Sequence, residues 1–175
     1  QMCIRDSHRN AKHLLIVLSV SMVSDFFDSD EETPEKEVEV KVLSMDQFRT
    51  VPSLGLEMVW CPPGSFQMGS SLDDTGREEK EVLHQATISR GFYIGKYEVT
   101  QDQWLEIMGN NPSFFNGPNR PIERVSWNDA KSFCDKLTQI ERAKGILPEG
   151  WFYDLPTESE WEYACLSLIH ISEPT

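Results

Sequence analysis

Phe92-Tyr93-Ile94-Gly95-Lys96-Tyr97-Glu98-Val99-Thr100-Gln101-Asp102-Gln103-Trp104 changes its pattern partway along. The run from Phe92 to Val99, rich in aromatic and β-branched residues, reads as a strand. At Thr100 a helix-start signal takes over. Thr100 is a capping residue, Gln103 three positions later can answer back to it, and Val99 can staple onto Trp104. The helix should run to about Met108 and end at Gly109-Asn110, where a left-handed residue is easily placed.

Toward the amino terminus, order is expected to begin near Leu54. Leu56-Glu57-Met58-Val59-Trp60 reads as a strand, and Cys61-Pro62-Pro63-Gly64 as a turn, because proline fixes φ and glycine tolerates positive φ. Ser65-Phe66-Gln67-Met68 alternates polar and apolar and reads as the returning strand. Ser70 to Lys80 is a polar loop, and His84 to Ser89 is a further strand before Arg90-Gly91.

Toward the carboxyl terminus, Ser126 with Asp129 in its first turn opens a second helix. Trp127, Ala130, Phe133, Cys134, Leu137 and Ile140 recur at helical spacing and give it one apolar face; Gly145 stops it. Thr157, followed by Glu160 and Trp161, opens a third. The connection from Gly109 to Arg124 holds three Pro and two Gly. It is long for a mere connector, and such loops bind ligands or are packed by their own side chains; Phe114-Phe115 are expected to pin it down. No internal repeat or heptad pattern is present.

The amino-terminal third has a different character. Arg9, Lys12 and His13 precede the apolar run from Leu14 to Val23, which falls short of the roughly 20 residues a spanning helix needs. Residues 8–24 read as a signal peptide, with Ser21 or Ser24 as the small residue at the cleavage site. No Cys follows the run, which argues against a lipid anchor; a buried core helix is the alternative. From Asp25 to Val40 eight acids face one lysine, so residues 25–53 read as an acidic, self-repelling disordered linker. At the ends, residues 1–7 and 166–175 read as translated sequencing-adaptor sequence, because neither string has structural logic where it stands. On that reading Cys3 and His170 are not features of the protein.

A chain of 175 residues with 39% hydrophobic residues, five Trp and nine Phe is long enough for one domain with a real core. A net charge of -13 argues against nucleic acid, whose phosphates need clustered Lys and Arg. The four cysteines (Cys3, Cys61, Cys134, Cys165) form no CxxC pair, so a zinc site has no support. Gly64 to Ser71 has the two glycines of a phosphate loop but lacks the lysine, and Phe66 and Met68 fit a strand. His84 stands without a second histidine nearby in sequence and reads as a surface or structural residue. Cys134 lies on the apolar helix face and reads as core. Glu158, Glu160 and Glu162 crowd a helix start, where the macrodipole favours anions. Residue by residue, no catalytic, cofactor-binding or metal-ligating set is assembled.

The order of motifs says more than any one of them. Pro62-Pro63-Gly64-Ser65-Phe66-Gln67-Met68-Gly69 is followed by the strand-to-helix stretch quoted first. Pro121-Ile122-Glu123-Arg124-Val125-Ser126-Trp127-Asn128-Asp129-Ala130 and Phe133-Cys134 come next, and Leu155-Pro156-Thr157-Glu158-Ser159-Glu160-Trp161-Glu162-Tyr163-Ala164 comes last. From about Leu54 to Cys165 this series resembles the sulfatase-modifying-factor family, the formylglycine-generating-enzyme-like domain. The resemblance implies a loop-rich α+β fold similar to C-type-lectin-like folds, of which residues 54–165 would be the amino-terminal part. Family enzymes oxidise a sulfatase cysteine to formylglycine with dioxygen and a copper ion held by two cysteines, and also bind calcium. Those ligands belong to the carboxy-terminal half. Cys61, Cys134 and Cys165 stand in the wrong motifs, so the site-residue assignment here is none: no catalytic, cofactor-binding or metal residue, and no cofactor in the fragment itself. Two departures stand out: Asp154 precedes Leu-Pro-Thr-Glu where the family usually has Arg, and Leu166 follows Cys165 where it usually continues Arg-Ala-Gly.

The resemblance therefore implies a fragment of a copper-dependent formylglycine-generating oxidase that is itself inactive. One alternative is a non-catalytic module of the same fold that binds a protein or glycan; another is a related oxidase such as a sulfoxide synthase. The expected partner is a sulfatase polypeptide or another protein, with no nucleic acid and no membrane span after signal cleavage. The expected source is bacterial and the location exported, periplasmic or extracellular.

Overall fold

A computed structural model describes residues 14, 16–20, 50–70 and 81–171. The acidic stretch, the polar loop over 71–80 and the string 1–7 lie outside the described residues. Strand β1 spans Val17–Val20, β2 Thr50–Val51, β3 Leu56–Cys61, β4 Gly64–Met68, β5 His84–Ile88 and β6 Phe92–Gly95. Helix α1 follows at Gln101–Met108, then α2 at Trp127–Ala143, β7 at Trp151–Asp154 and α3 at Glu158–Ile171.

Five strands form one sheet in the order β2-β3-β6-β1-β7, and β4 and β5 form a separate hairpin. Every pairing in the main sheet is antiparallel. β6 reads Phe-Tyr-Ile-Gly without a polar residue and is buried along its whole length. Such a run fits a strand covered on both faces, and alternation decides which face each residue serves. Tyr93 joins Leu14, Ile16, Leu56, Met58 and Tyr153 in a core completed by Trp104 of α1 and by Phe133, Cys134 and Leu137 of α2. Phe92 and Ile94 point the other way, with Val17, Cys61 and Ile88, under Tyr163 and Ala164 of α3. The sheet is thus the middle layer, with α1 and α2 on one face and α3 with the hairpin on the other.

The helix starts follow the sequence signals. Thr100 and Ser126 each close a reciprocal capping box, with Gln103 and Asp129, and Gly109 at φ 78 ends α1 in the left-handed region. Thr157 and Glu160 do the same for α3, the Thr157 amide donating to Glu160 Oε2 at 2.8 Å and the Glu160 amide to Thr157 Oγ1 at 3.2 Å.

Four expectations are corrected. Regular structure around β3 reaches back from Leu54 to Thr50, into the expected linker, because Val51 is buried and pairs with Leu56. The strand from Phe92 ends at Gly95, since Lys96 and Tyr97 turn outward. Trp151–Asp154 is a strand the sequence reading missed. The buried-helix alternative for the apolar run after His13 also fails: Val17–Val20 is a strand, hydrogen-bonded in register to both β6 and β7. The backbone of α3 continues past Cys165 to Ile171 without a break. No helix among the described residues is long and apolar enough to cross a membrane.

Candidate functional site

The connection between α1 and α2 is an irregular segment held by many hydrogen bonds. It folds back over the start of α1. The first amides of a helix lack intrahelical partners; here the Gln101 amide donates to Arg120 O at 2.9 Å and the Asp102 amide to Pro118 O at 3.2 Å. Ile122 is fully buried, and its amide donates to Val99 O at 2.9 Å.

Gln101 holds the inside of this loop. Its side-chain amide nitrogen donates to Phe115 O at 2.9 Å and to Pro121 O at 3.2 Å. Its Oε1 accepts from Asn111 Nδ2 and from the Gly117 amide, both at 3.0 Å. Two donors and two acceptor positions are the full capacity of a glutamine amide, so this buried side chain has no unmet group. Asn111 Oδ1 accepts from the Ser113 amide at 3.0 Å, Ser113 Oγ from the Glu123 amide at 3.3 Å, and Glu123 Oε1 from the Phe115 amide at 2.8 Å.

The outside of the loop carries Phe114 and Phe115, packed edge to face with centroids 4.9 Å apart. They are 66% and 59% exposed, so the expectation that they pin the loop is wrong: polar groups pin it, and the two rings are displayed. A displayed aromatic pair on a fixed loop can cover an apolar patch of a polypeptide or stack on a flat face of a ligand. Sequence reading missed Gln101, because a glutamine in the first turn of a helix normally faces water. The available signal was spacing, since Gln101 and Trp104 lie three apart on one helix face and Trp104 is plainly a core residue.

The residues singled out in the sequence do not converge. His84 is exposed on β5, its Nδ1 2.7 Å from Val82 O. Gly64–Met68 is a strand paired along its length with His84–Ile88, not a phosphate loop. Glu160 caps α3, whereas Glu162 is buried and accepts from the Gly69 amide at 2.9 Å, tying α3 to the end of the hairpin. Gly69 has φ 99, and a Cβ there would meet Val82 O at 2.6 Å. Asp154 pairs with Lys131 at 2.7 Å. No group of three His, Cys, Asp or Glu suited to a metal ion occurs among the described residues.

Cys61 and Cys134 are fully buried, form no disulfide, and lie in the two opposite cores. Burial, with a smaller contribution from Glu160, pushes the Cys61 thiol up to about 11; burial, with Asp154, pushes Cys134 up to about 12. An unfolded thiol ionises near its ordinary value of 9.0. Above that pH the folded chain holds protons that the unfolded chain has released, so the thiol contribution to stability is complete below pH 9 and is lost as pH rises toward about 11 for Cys61 and about 12 for Cys134. The expected loss is up to about 1.4 kcal/mol per pH unit for each thiol. Urea midpoints measured on either side of pH 9 should fall accordingly, and Cys61→Ala with Cys134→Ala should flatten the slope. An unchanged slope in that variant would show that the thiols do not cause it.

Comparison with known proteins bears on this arrangement. The profile of the sulfatase-modifying factor enzyme 1-like domain matches residues 44–167. A protein of Paenibacillus barcinonensis named Chaperone protein LppX is 42% identical over 98 residues, covering 42% of this chain and 35% of the relative. The formylglycine-generating enzyme of Mus musculus is 26% identical over 143 residues, covering 78% of this chain and 34% of the enzyme. The chain therefore spans about a third of the length of the curated relatives it matches. Among solved structures, that of PvdO from Pseudomonas aeruginosa aligns with a TM-score of 0.46 at 27% identity, covering 55% of this chain and 43% of that one.

Proposed function

The chain belongs to the sulfatase-modifying factor enzyme 1-like domain family, and from that premise we propose that the whole protein oxidises a sulfatase cysteine to formylglycine while the described segment holds the polypeptide. The observation that carries the second half is the Phe114–Phe115 pair, displayed by a loop whose interior polar groups are satisfied. A rigid aromatic pair gives contact area at little entropic cost, which suits a surface that must grip an extended chain. The first half is supported by the similarity to formylglycine-generating enzymes, which extends over most of this chain.

Family membership implies dioxygen as oxidant, copper held by two cysteines, and calcium. The described residues do not fit these metals. A cysteine binds copper as its thiolate, and Cys61 and Cys134 are buried, with their thiols pushed well above the ordinary value, and lie in different cores. Asp154 and Asp135 are within ion-pair reach of Lys131. No step of the oxidation is therefore assigned to a residue of this segment. We place the protein outside the cytoplasm, a reading supported by the signal-like pattern of residues 8–24.

The test is the double variant Phe114→Ala, Phe115→Ala in the full-length protein. Loss of an exposed aromatic anchor pair should lower kcat/KM for a cysteine-containing sulfatase peptide by about tenfold or more, read as aldehyde captured by a hydrazide probe. The melting temperature should stay put, because both side chains are largely exposed. Unchanged kcat/KM would remove the loop from substrate holding. The higher identity to the chaperone relative favours a second reading, a polypeptide-binding module without chemistry. On that reading the same variant loses affinity for an unfolded polypeptide, and no aldehyde forms with either protein.

A further inference from the structure

Asn116-Gly117 is the one Asn-Gly step in the sequence, and it sits on the connection between α1 and α2. An asparagine followed by glycine is prone to close on itself, because the glycine amide has no side chain beside it to hinder attack and its backbone turns freely. Asn116 is exposed, so water reaches its side chain. The peptides on either side of it are nevertheless both held by Gln101. The carbonyl of Phe115, which precedes Asn116, accepts from Gln101 Nε2 at 2.9 Å, and the amide of Gly117, which follows it, donates to Gln101 Oε1 at 3.0 Å. Gln101 itself is 2% exposed. Gly117 is also fixed from its other end. Its carbonyl accepts from the Arg120 amide at 3.0 Å, and the Arg120 side chain lies so close that a Cβ on Gly117 would meet Cδ at 2.9 Å.

From this arrangement we infer that Asn116 is a latent site of self-modification, deamidation through a succinimide, and that Gln101 is the group that withholds it. In that reaction the Gly117 nitrogen loses its proton and attacks Asn116 Cγ. The N–Cγ bond forms, the Cγ–Nδ2 bond breaks, and the side-chain nitrogen leaves as ammonia. Water then opens the ring at either of its carbonyls, leaving aspartate or isoaspartate; nothing is oxidised or reduced. The clamp opposes both requirements of the first step. The proton that must leave is engaged by a buried acceptor. Asn116 also cannot turn its following peptide toward its own side chain while both flanking peptides are tied to the same glutamine. Release of the loop from Gln101 removes both obstacles at once. The isoaspartate product carries the chain through Cγ and is longer by a methylene, so Phe115 O and the Gly117 amide no longer match the spacing of a single glutamine amide. A loop that has opened and reacted in this way does not reclose on Gln101 as before. The inference concerns the chemistry of the loop and stands whether or not Phe114 and Phe115 grip a polypeptide.

The test incubates the whole chain in mildly alkaline buffer beside a free peptide of residues 112–121. Deamidation at Asn116 is followed by peptide mass and by isoaspartyl methyltransferase labelling. The free peptide should react about tenfold or more faster than the folded chain, the equivalent in rate of the hydrogen bonds that the loop must give up. Gln101→Leu should bring the chain most of the way to the peptide rate. Trp104→Phe, which weakens the core and leaves Gln101 in place, should stay near the rate of the unaltered chain. Because Gln101→Leu can cost the fold, a second measurement needs no variant. In urea below the unfolding midpoint, the rate at Asn116 should rise in proportion to hydrogen exchange at the Gly117 amide. Equal rates in the unaltered chain and the peptide would overturn the inference. So would a folded Gln101→Leu chain that reacts no faster, equal acceleration by Trp104→Phe and Gln101→Leu, or Gly117 exchange that rises in urea while deamidation does not.

Discussion

Gln101→Leu should destabilise the chain by about 2–4 kcal/mol and release the loop from Gly109 to Arg124 at the same time. The side chain is buried and makes four hydrogen bonds. Leucine keeps the volume but strands the carbonyls of Phe115 and Pro121, the Gly117 amide and the Asn111 side chain. A buried group left without a partner costs about 1–3 kcal/mol, less where water can reach it, and this loop is partly open to water. Gln101→Glu is the sharper variant. It keeps shape and both acceptor contacts but sets a carboxylate oxygen against two carbonyl oxygens. We expect it to be at least as damaging at neutral pH and to recover on acidification, as protonation restores one donor. Thermal melts across pH, with amide exchange at Phe115 and Gly117, check this. A stable Gln101→Glu protein with protected loop amides would show that the four-bond account is wrong.

Trp104→Ala should cost about 3–5 kcal/mol, the range for large-to-small changes in cores, and can leave a chain of this size largely unfolded. Trp104 is 2% exposed and stacks on Phe133, with centroids 5.2 Å apart and rings 3° from parallel. The stack helps join α1 to α2 over the sheet. The Trp104 indole Nε1 is the one buried side-chain donor among the described residues without a hydrogen-bond partner. Trp104→Phe therefore removes an unsatisfied group along with volume, so its cost should fall well below that of alanine while the ring stack survives. Urea titration of the two variants separates the terms. Equal costs would show that the ring retained against Phe133 contributes nothing.

The parts of the fold that were legible share one property: a local chemical reason. Thr100 with Gln103, Ser126 with Asp129 and Thr157 with Glu160 are cap pairs three residues apart, and a cap needs no knowledge of the rest of the chain. The apolar face of α2 is equally local, and five of its six expected positions are buried or half-buried; Trp127 alone is exposed. Illegible parts depend on distant partners. Trp151–Asp154 is a strand because Val17–Val20 lies beside it. Glu162 matters because Gly69 needs an acceptor. Glu141, fully buried, is tolerated because it accepts from Tyr153 Oη at 2.6 Å and from the Ser53 amide at 2.9 Å. Phe114–Phe115 were expected to pin the loop and are displayed instead, while Gln101, which does pin it, was not singled out. In a tight loop the competition runs the other way, since backbone amides and carbonyls turned inward must be met by a polar side chain.

The sheet order has a consequence in time. Val17–Val20 is made first, but its neighbours β6 and β7 come from the middle and far parts of the chain. The α1–α2 layer has mostly local contacts and can form early; the sheet cannot close until Trp151–Asp154 has been made. Pairings of such sequence separation slow folding, and an apolar strand that waits for its partners is exposed to aggregation while it waits. Refolding should therefore be biphasic, with helical signal returning ahead of the burial of Tyr153, and its yield should fall as chain concentration rises.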